Sequence, residues 1–488
     1  MTAESLFILF RLQELGLDTK KILRVGLLNP VRDLDPRTAQ DSESMFVSKQ
    51  LFEAPYGTVY GTTEVEPLLL SGPLKRINAT ELRGTIRDDV LFSDGSPLKP
   101  EDVLSSIRSS SVVADHADVT LQGRELIFKL HRPNGHFALQ LTHGQCGALK
   151  RNGETLLGTG PFAYHPDSTP EHVRLVRNPH HRPSPHLDEL HFKTYPVDSY
   201  GRPTALIEAI QNGEVDLTNC LGRDDINRVS GARKSILPGI STCFLHMNTQ
   251  SPRLPDPRVR QAIGHSLNRL ELARLCYSNA LAFAATSLLP RTLGAGDDRL
   301  HHDPDLARRL ISEPDIEKPN RLRLLTVWGP RPYLSNPEAV TDEICRCCAD
   351  LGIEIEVIRP KSSTEYFEYS IAGTADLTLV GWVADTMDPV DFLESILASY
   401  RIPTKNNLAV CANEGRLRST RLDELLQQWR ATRSAQHLEE ILDIVGNEAS
   451  TTALFYGASV TIYGFSVQNF KPSPMAHYSL AEIDIWDS

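Results

Sequence analysis

The stretch DLTLVGWVADTMDPVDFL, Asp376 to Leu393, decides the reading of the chain. Asp376 to Val380 is short, mostly apolar and in part β-branched, with Gly381 after it as a turn residue, so it reads as a buried strand. Trp382 stands three residues before Asp385. Asp388-Pro389 then stops the strand segment and starts a helix with Phe392, Leu393 and Ile396 on its apolar face. An indole and a carboxylate delivered together at the end of a buried strand make an apolar wall beside an anionic anchor, the combination that holds a cationic group of an organic ligand. A plainer reading uses the same residues: a core Trp, and an Asp that caps the next helix.

Working outward, Leu322 to Trp328 reads as a strand, Pro337 to Leu351 as a helix, and Ile353 to Val357 as a strand after Gly352. With Leu377 to Val380, this alternation is an α/β unit. Phe244 to Asn248 reads as a further strand, and Asp256-Pro257 opens a helix with the Asp as N-cap. Helices over 422–433 and 437–449 lead to a final pair of strands. Towards the N-terminus, Ile22 to Leu28 is a first strand, and Ser42 to Leu51 is a helix running into Phe52, Glu53, Ala54, Pro55 and Tyr56. The text from 65 to 130 is β-rich, with a turn at Ser93-Asp94-Gly95-Ser96-Pro97 and a helix opening at Pro100-Glu101-Asp102. Gly158-Thr159-Gly160-Pro161-Phe162 invites a phosphate-loop reading, but no Gly-Lys-Ser/Thr ending follows and strands come next. A tight turn into a strand accounts for it.

A chain of 488 residues accommodates roughly two to four domains of about 100–200 residues each. Its 40% hydrophobic and 23% charged residues fit a soluble globular protein able to bury a large core. The formal net charge of −11 argues against nucleic acid or anionic lipid as the main partner, since either selects a basic face. No stretch approaches about 18 continuous apolar residues, so no membrane span is predicted. The eight cysteines are scattered apart from Cys345, Cys347 and Cys348, which is not a disulfide framework in so long a chain. Met1 to Ser5 carries no basic residue, and Leu6 to Phe10 is shorter than the about 7–15 apolar residues of a secretory signal. Leu6 to Leu15 instead reads as a short amphipathic helix ended by Gly16, an extension over residues 1–21. A cytoplasmic location is expected if Met1 is native, and a periplasmic or extracellular one if a leader has been removed.

Several elements, taken in order, resemble the family 5 extracellular solute-binding proteins, the oligopeptide, dipeptide and nickel binders that serve ABC importers. Ile86-Arg87 through Val90, Phe92, Asp94-Gly95, Pro97 and Glu101-Asp102-Val103 is similar to that family's strand, D-G-x-P turn and E-D-V helix start. Gly158 to Phe162 resembles its G-T-G-P-[FY] element, followed by Leu175 to Pro179 and Leu187 to Leu190. Gly213 to Asp216, Asn248 with Arg258 to Ala262, and Gly381-Trp382-Val383-Ala384-Asp385 match further on. The resemblance implies a two-lobed periplasmic-binding-protein-like α/β fold (type II, cluster C) that closes on its ligand. On this basis the lobes are expected over 22–53, 158–265 and 466–488 for the first and 266–465 for the second, with a small inserted third domain over 54–157. It further implies that Asp385 receives a ligand α-ammonium beside Trp382, and that the edge at Leu51-Phe52-Glu53-Ala54-Pro55 can pair with a peptide backbone. Pro55 deletes one backbone donor there, which alters such pairing.

Other chemistry is poorly supported by the residues. The cysteine cluster falls inside a helix, where Ile344 and Cys348 share a buried stripe, and adjacent histidines such as His180-His181 or His301-His302 chelate badly. There is no G-x-S-x-G, no H-E-x-x-H and no papain-like Cys context. The main expectation is therefore a binder that encloses a peptide or peptide-like small molecule, cationic ones included, through Trp382, Asp385, Val383, Glu53, Tyr56 and Asn248. No catalytic residue, metal or cofactor is nominated. A monomer is expected, with an ABC permease as partner if the chain is exported. Two alternatives remain: a cytoplasmic biosynthetic enzyme that has taken over the closed cleft, with Asp385 or a nearby His as base, and an intracellular ligand sensor.

Overall fold

The computed structural model describes residues 20–486 apart from 40, 60, 61, 63, 154, 200, 201, 223, 224, 278–280, 295, 296, 330, 332, 385, 408–411 and 476. The helical extension expected before Gly16 lies outside the described residues, as does Cys411. The architecture is mixed α/β, organised on one eleven-stranded sheet. From one edge it runs Phe162–Tyr164, His172–Arg177, Glu189–Thr194, Ile22–Leu27 and Leu217–Thr218. It continues through Thr451–Tyr463 and Arg233–Met247 to Leu377–Val383, Arg321–Leu325 and Glu354–Ile358. Ile22–Leu27 pairs in parallel with Glu189–Thr194, and Arg321–Leu325 pairs in parallel with both of its neighbours. Phe283–Ala284 adds a short pairing to Thr451–Tyr463.

The two halves of the sheet are joined by a long antiparallel pair, Arg233–Met247 and Thr451–Tyr463. Here the sequence reading falls short. Only Phe244 to Asn248 was expected as a strand at the first site, yet the strand is 15 residues long; a pair of strands was expected at the second, yet one strand of 13 residues is present. Pro238-Gly239 and Gly457 read locally as breaks. In the sheet they sit at an irregularity, where the register passes from Pro238 opposite Ala458 to Thr242 opposite Tyr456. A Cβ on Gly239 would stand 3.0 Å from the Gly457 carbonyl oxygen, so the glycines let the two backbones close up where the ladder bends.

Residues from Ala54 to Leu157 supply a hydrophobic cluster of their own. It is built on a four-stranded antiparallel sheet, ordered Lys75–Arg76, Glu81–Thr85, Glu125–Leu130 and Ala117–Gln122, and on the helix Pro100–Ser109. The turn at Asp94-Gly95 forms as its residues dictate, with Gly95 at φ +80° and Asp94 Oδ1 accepting from Ser96 N at 2.9 Å. Gly158-Thr159-Gly160 has a different logic from the expected turn. A Cβ on Gly158 would stand 1.9 Å from the Leu51 carbonyl oxygen, and one on Gly160 2.5 Å from the Leu51 carbonyl carbon. The glycines are there because the Ser42–Leu51 helix ends against this backbone, with Gly160 N donating to Leu51 O at 2.9 Å.

Around the opening stretch, Asp388 caps the helix Pro389–Leu397 by accepting from Val390 N at 2.9 Å, and Phe392, Leu393 and Ile396 are buried. The strand before it does not end at Gly381 but runs Leu377–Val383, because Gly381 pairs with Cys243 inside the sheet. Cys347 and Cys348 are buried in the helix Pro337–Asp350.

The helix Pro389–Leu397 also receives the segment 134–142. Gln140 Nε2 donates to Asp388 Oδ2 at 3.2 Å and to Asp391 Oδ2 at 2.5 Å. His116 Nε2 lies 3.7 Å from Asp391 Oδ1. Gly135 N donates to Arg430 O at 2.9 Å, and Leu139 is buried in the core formed by Val390, Phe392 and Leu393. Among the described residues no helix is long and apolar enough to cross a membrane.

Candidate functional site

Leu377–Val383 and Arg321–Leu325 are parallel and end at one edge of the sheet, the edge at which open α/β sheets take their ligands. Trp382 is half-buried there, opposite Thr242 of the long joining strand. It packs with Ile240 and Phe283 against a core that includes Phe244, Met387 and Tyr456. Val383 is 40% exposed. Asp385 lies outside the described residues. The glycine before Trp382 makes room for a neighbouring ring: a Cβ on Gly381 would stand 2.5 Å from Tyr333 Cδ2. Burial, reinforced by Cys243, pushes the Tyr333 hydroxyl up to about 12, although the Arg331 charge pulls the other way.

Arg331 is the residue that sequence reasoning missed. Its guanidinium carbon lies 3.6 Å from the Trp328 ring centroid, a stacked cation–π contact. Its Nε and Nη2 are buried without a hydrogen-bond partner among the described residues. Desolvated guanidinium donors left unpaired are costly, so they mark a place where an anionic partner is stabilised strongly. The local signal was a basic residue in a Gly-Pro-Arg-Pro turn after a strand, and such turns are common. What gives it meaning is Tyr333, which carries this loop onto Gly381 beside Trp382.

The structure places the remaining nominated side chains in the framework. Glu53 is buried, with His181 Nε2 at 3.4 Å and Arg182 Nη1 at 3.8 Å. Tyr56 is buried in the core of residues 54–157, and its hydroxyl donates to Gly72 O at 2.8 Å. Asn248 donates to Gly373 O at 3.1 Å and Ala375 O at 3.0 Å, and accepts from Gln250 N. The edge after Pro55 is likewise taken up by the chain itself, since Tyr56–Thr58 pairs with Val65–Pro67 and Leu68 N donates to Pro55 O at 3.0 Å.

Near the core against which Trp382 packs runs the C-terminal segment that carries Met475, His477, Tyr478 and Leu480. Met475 and Val65 pack, half-buried, against the same core as Trp382. His477 Nε2 lies 3.2 Å from Ser42 Oγ, and Gln50 ties Tyr478 O and Leu480 N at 2.8 and 2.9 Å. Burial first, then the charge of Lys49, holds both His143 and His477 down at about 4. Burial alone holds His246 at about 3, with Nδ1 on Thr451 Oγ1 at 2.9 Å. Three histidines below their ordinary 6.5 give stability that is complete above pH 6.5 and lost as acid protonates the unfolded chain first. Urea titrations between pH 7 and pH 4 are expected to show stability falling on acidification, by up to about 1.4 kcal/mol per pH unit for each histidine. His143→Gln flattens that slope by one histidine's share; an unchanged slope would refute the assignment.

Residues 64–403 match the family described as "Bacterial extracellular solute-binding proteins, family 5 Middle". The chain belongs to this family. Among curated relatives of this solute-binding protein, the "Probable di/tripeptide-binding protein 5" of Pseudomonas aeruginosa is 23% identical over 388 residues, covering 77% of this chain and 70% of its own length. The "Peptide transport periplasmic protein SapA" of Salmonella typhimurium is 26% identical over 391 residues, covering 74% of this chain and 68% of its own. The "Dipeptide-binding protein" of Escherichia coli is 26% identical over 250 residues, and these span 50% of this chain and 45% of the relative. Two solved structures share the fold, which is thereby the two-lobed one of periplasmic binding proteins. HbpA2 from Haemophilus parasuis superposes with a TM-score of 0.83 at 17% identity, covering 95% of this chain and 100% of that one. DppA from Helicobacter pylori, "in complex with peptide STSA", gives 0.71 at 19% identity, with 96% and 99% covered.

Proposed function

We propose that this solute-binding protein encloses a peptide or peptide-like molecule between its lobes and delivers it, as a monomer, to an ABC permease. The observation that carries the reading is the Arg331 guanidinium, whose buried Nε and Nη2 have no partner among the described residues, in the loop that Tyr333 packs onto Gly381 next to Trp382. A guanidinium there suits a peptide carboxylate, which it can meet with two parallel hydrogen bonds. The peptide-binding names of the relatives from Pseudomonas aeruginosa and Escherichia coli support the same ligand class. They lend nothing to the enzyme or sensor alternatives. Asp385 takes the ammonium end in this proposal, on the strength of its place three residues after Trp382. The lobes divide as 22–53 with 158–265 and 466–488 against 266–465, with residues 54–157 as the insert.

Calorimetric titration with dialanine and trialanine tests the assignment. Arg331→Ala is expected to weaken the peptide by about 1.5–3 kcal/mol, and Asp385→Ala to weaken it by a similar amount, the range for hydrogen bonds to charged groups. An N-acetylated peptide loses affinity for wild type but not for Asp385→Ala. Affinities that do not change in either variant would remove both residues from the site.

A further inference from the structure

Lys49 sits near the end of the Ser42–Leu51 helix with its side chain half-buried, and its ammonium has no hydrogen-bond or ion-pair partner among the described residues. Its acidic neighbours do not account for it. Glu53 and Glu66 act on it through space without coming within ion-pair distance. Glu53 stands closer to His181 and Arg182, at 3.4 and 3.8 Å, and Glu66 faces solvent. Nor do the free carbonyls at the helix end, because helical side chains tilt towards the N-terminus, which carries Lys49 back along the helix in the direction of Ser42.

Two other segments bring histidines to that place. His143 caps the short turn Gly144–Cys146, and Gly147 of the same segment stands against Phe52 Cβ, just past the helix. His477 reaches Ser42, two turns before Lys49. Lys49 acts on both rings through its charge. His143 accepts at Nδ1 from Gln145 N at 3.3 Å, so its Nε2 carries the hydrogen and can donate. The tail that delivers His477 delivers Met475 to the core half-covered by Trp382. One short segment thus links the indole wall to an ammonium that burial is pulling towards neutrality. An ammonium taken partly out of water with no counter-charge is destabilising unless something anionic arrives.

We propose that Lys49, with the N–H donor of His143 nearby, seats a side-chain carboxylate of the bound guest, so that acidic peptides are the preferred ligands of this chain. The proposal deepens the peptide reading and rests on it. It adds a second anion seat, separate from Arg331, which takes a different carboxylate.

Calorimetric titration of wild type, Lys49→Met and Lys49→Arg with the near-isosteric pair Ala-Glu-Ala and Ala-Gln-Ala tests it. Wild type is expected to favour Ala-Glu-Ala by about ten- to a hundred-fold. Lys49→Met loses that preference, and Lys49→Arg keeps it. Equal affinity of wild type for the two peptides overturns the proposal while leaving the peptide reading intact. A preference that survives Lys49→Met overturns it too. If neither peptide binds, the peptide reading fails, and NMR of isotope-labelled dimethyl-lysine with free glutarate decides the anion seat alone. A Lys49 resonance that shifts supports the seat, and one that stays in place removes it.

Discussion

Replacing Arg430 by methionine is expected to cost about 3–5 kcal/mol of folding stability at neutral pH, the usual cost of stranding one side of a buried ion pair. Arg430 is 4% exposed and lies among three carboxylates. Its Nη1 stands 2.6 Å from Asp391 Oδ1 and 3.7 Å from Asp388 Oδ2, and Nη2 pairs with Glu394. Burial alone would lower the arginine, but the fields of Asp391, Glu394 and Asp388 more than offset it. Burial likewise works against an ionised Asp391; Arg430 above all, with His116 and the hydrogen bond from Gln140, brings it below the usual carboxylate range. Methionine fills much of the space but leaves the acids facing one another, with Arg433 on Asp388 as the remaining close guanidinium.

The sign of the pH dependence follows. In wild type the depressed Asp391 gives stability that is present above the ordinary 3.8 and lost below it. In Arg430→Met the charge that chiefly holds Asp391 down is gone, so the deficit is largest at neutral pH and shrinks in acid. Urea unfolding at pH 7.5 and pH 5 measures both. A deficit under about 1 kcal/mol, the scale of a surface pair, or one that grows in acid, would show that the network is not what holds these helices.

The second large effect is at Gly158. Gly158→Ala is expected to destabilise the protein by about 3 kcal/mol, the upper end for overpacking, because the added carbon would meet the Leu51 carbonyl oxygen at 1.9 Å. That oxygen belongs to a helix end and already accepts from Gly160 N, so it cannot swing away as a side chain would. Gly153→Ala is the control. Its Cβ would meet nothing within 4 Å, and its φ of +61° brings only the ordinary cost of a left-handed alanine. Thermal unfolding ranks the two. If Gly153→Ala proved as damaging as Gly158→Ala, conformational freedom would be the explanation and close approach would not.

The sequence was most legible where the physics is local. Asp388 and Asp256 cap helices whose first residue is proline, because an Asp side chain and a fixed φ act within one turn. Cys347 and Cys348 lie where the helical repeat of their neighbours turns them inward. Glu53, Tyr56 and Asn248 were legible as motif positions, but what their side chains touch was not. Each side chain bonds the protein's own carbonyls or charges, and no repeat or spacing announces those partners.

By itself, the amino-acid order determined the α/β class, the capped helices, the family and the Trp382 end of a buried strand, since each depends on residues a few positions apart or on a motif readable in line. Only the tertiary structure decided that Pro238, Gly239 and Gly457 bend one continuous pair of strands and that Gly158 and Gly160 yield to the end of a helix. It alone decided, too, that Lys49 and two buried nitrogens of Arg331 are without partners among the described residues. Whether a charge is paired depends on which groups stand within about 4 Å of it after the chain has folded. The ring stacked on Arg331 is that of Trp328, three positions away; the histidines that feel the charge of Lys49, His143 and His477, come from segments far along the chain.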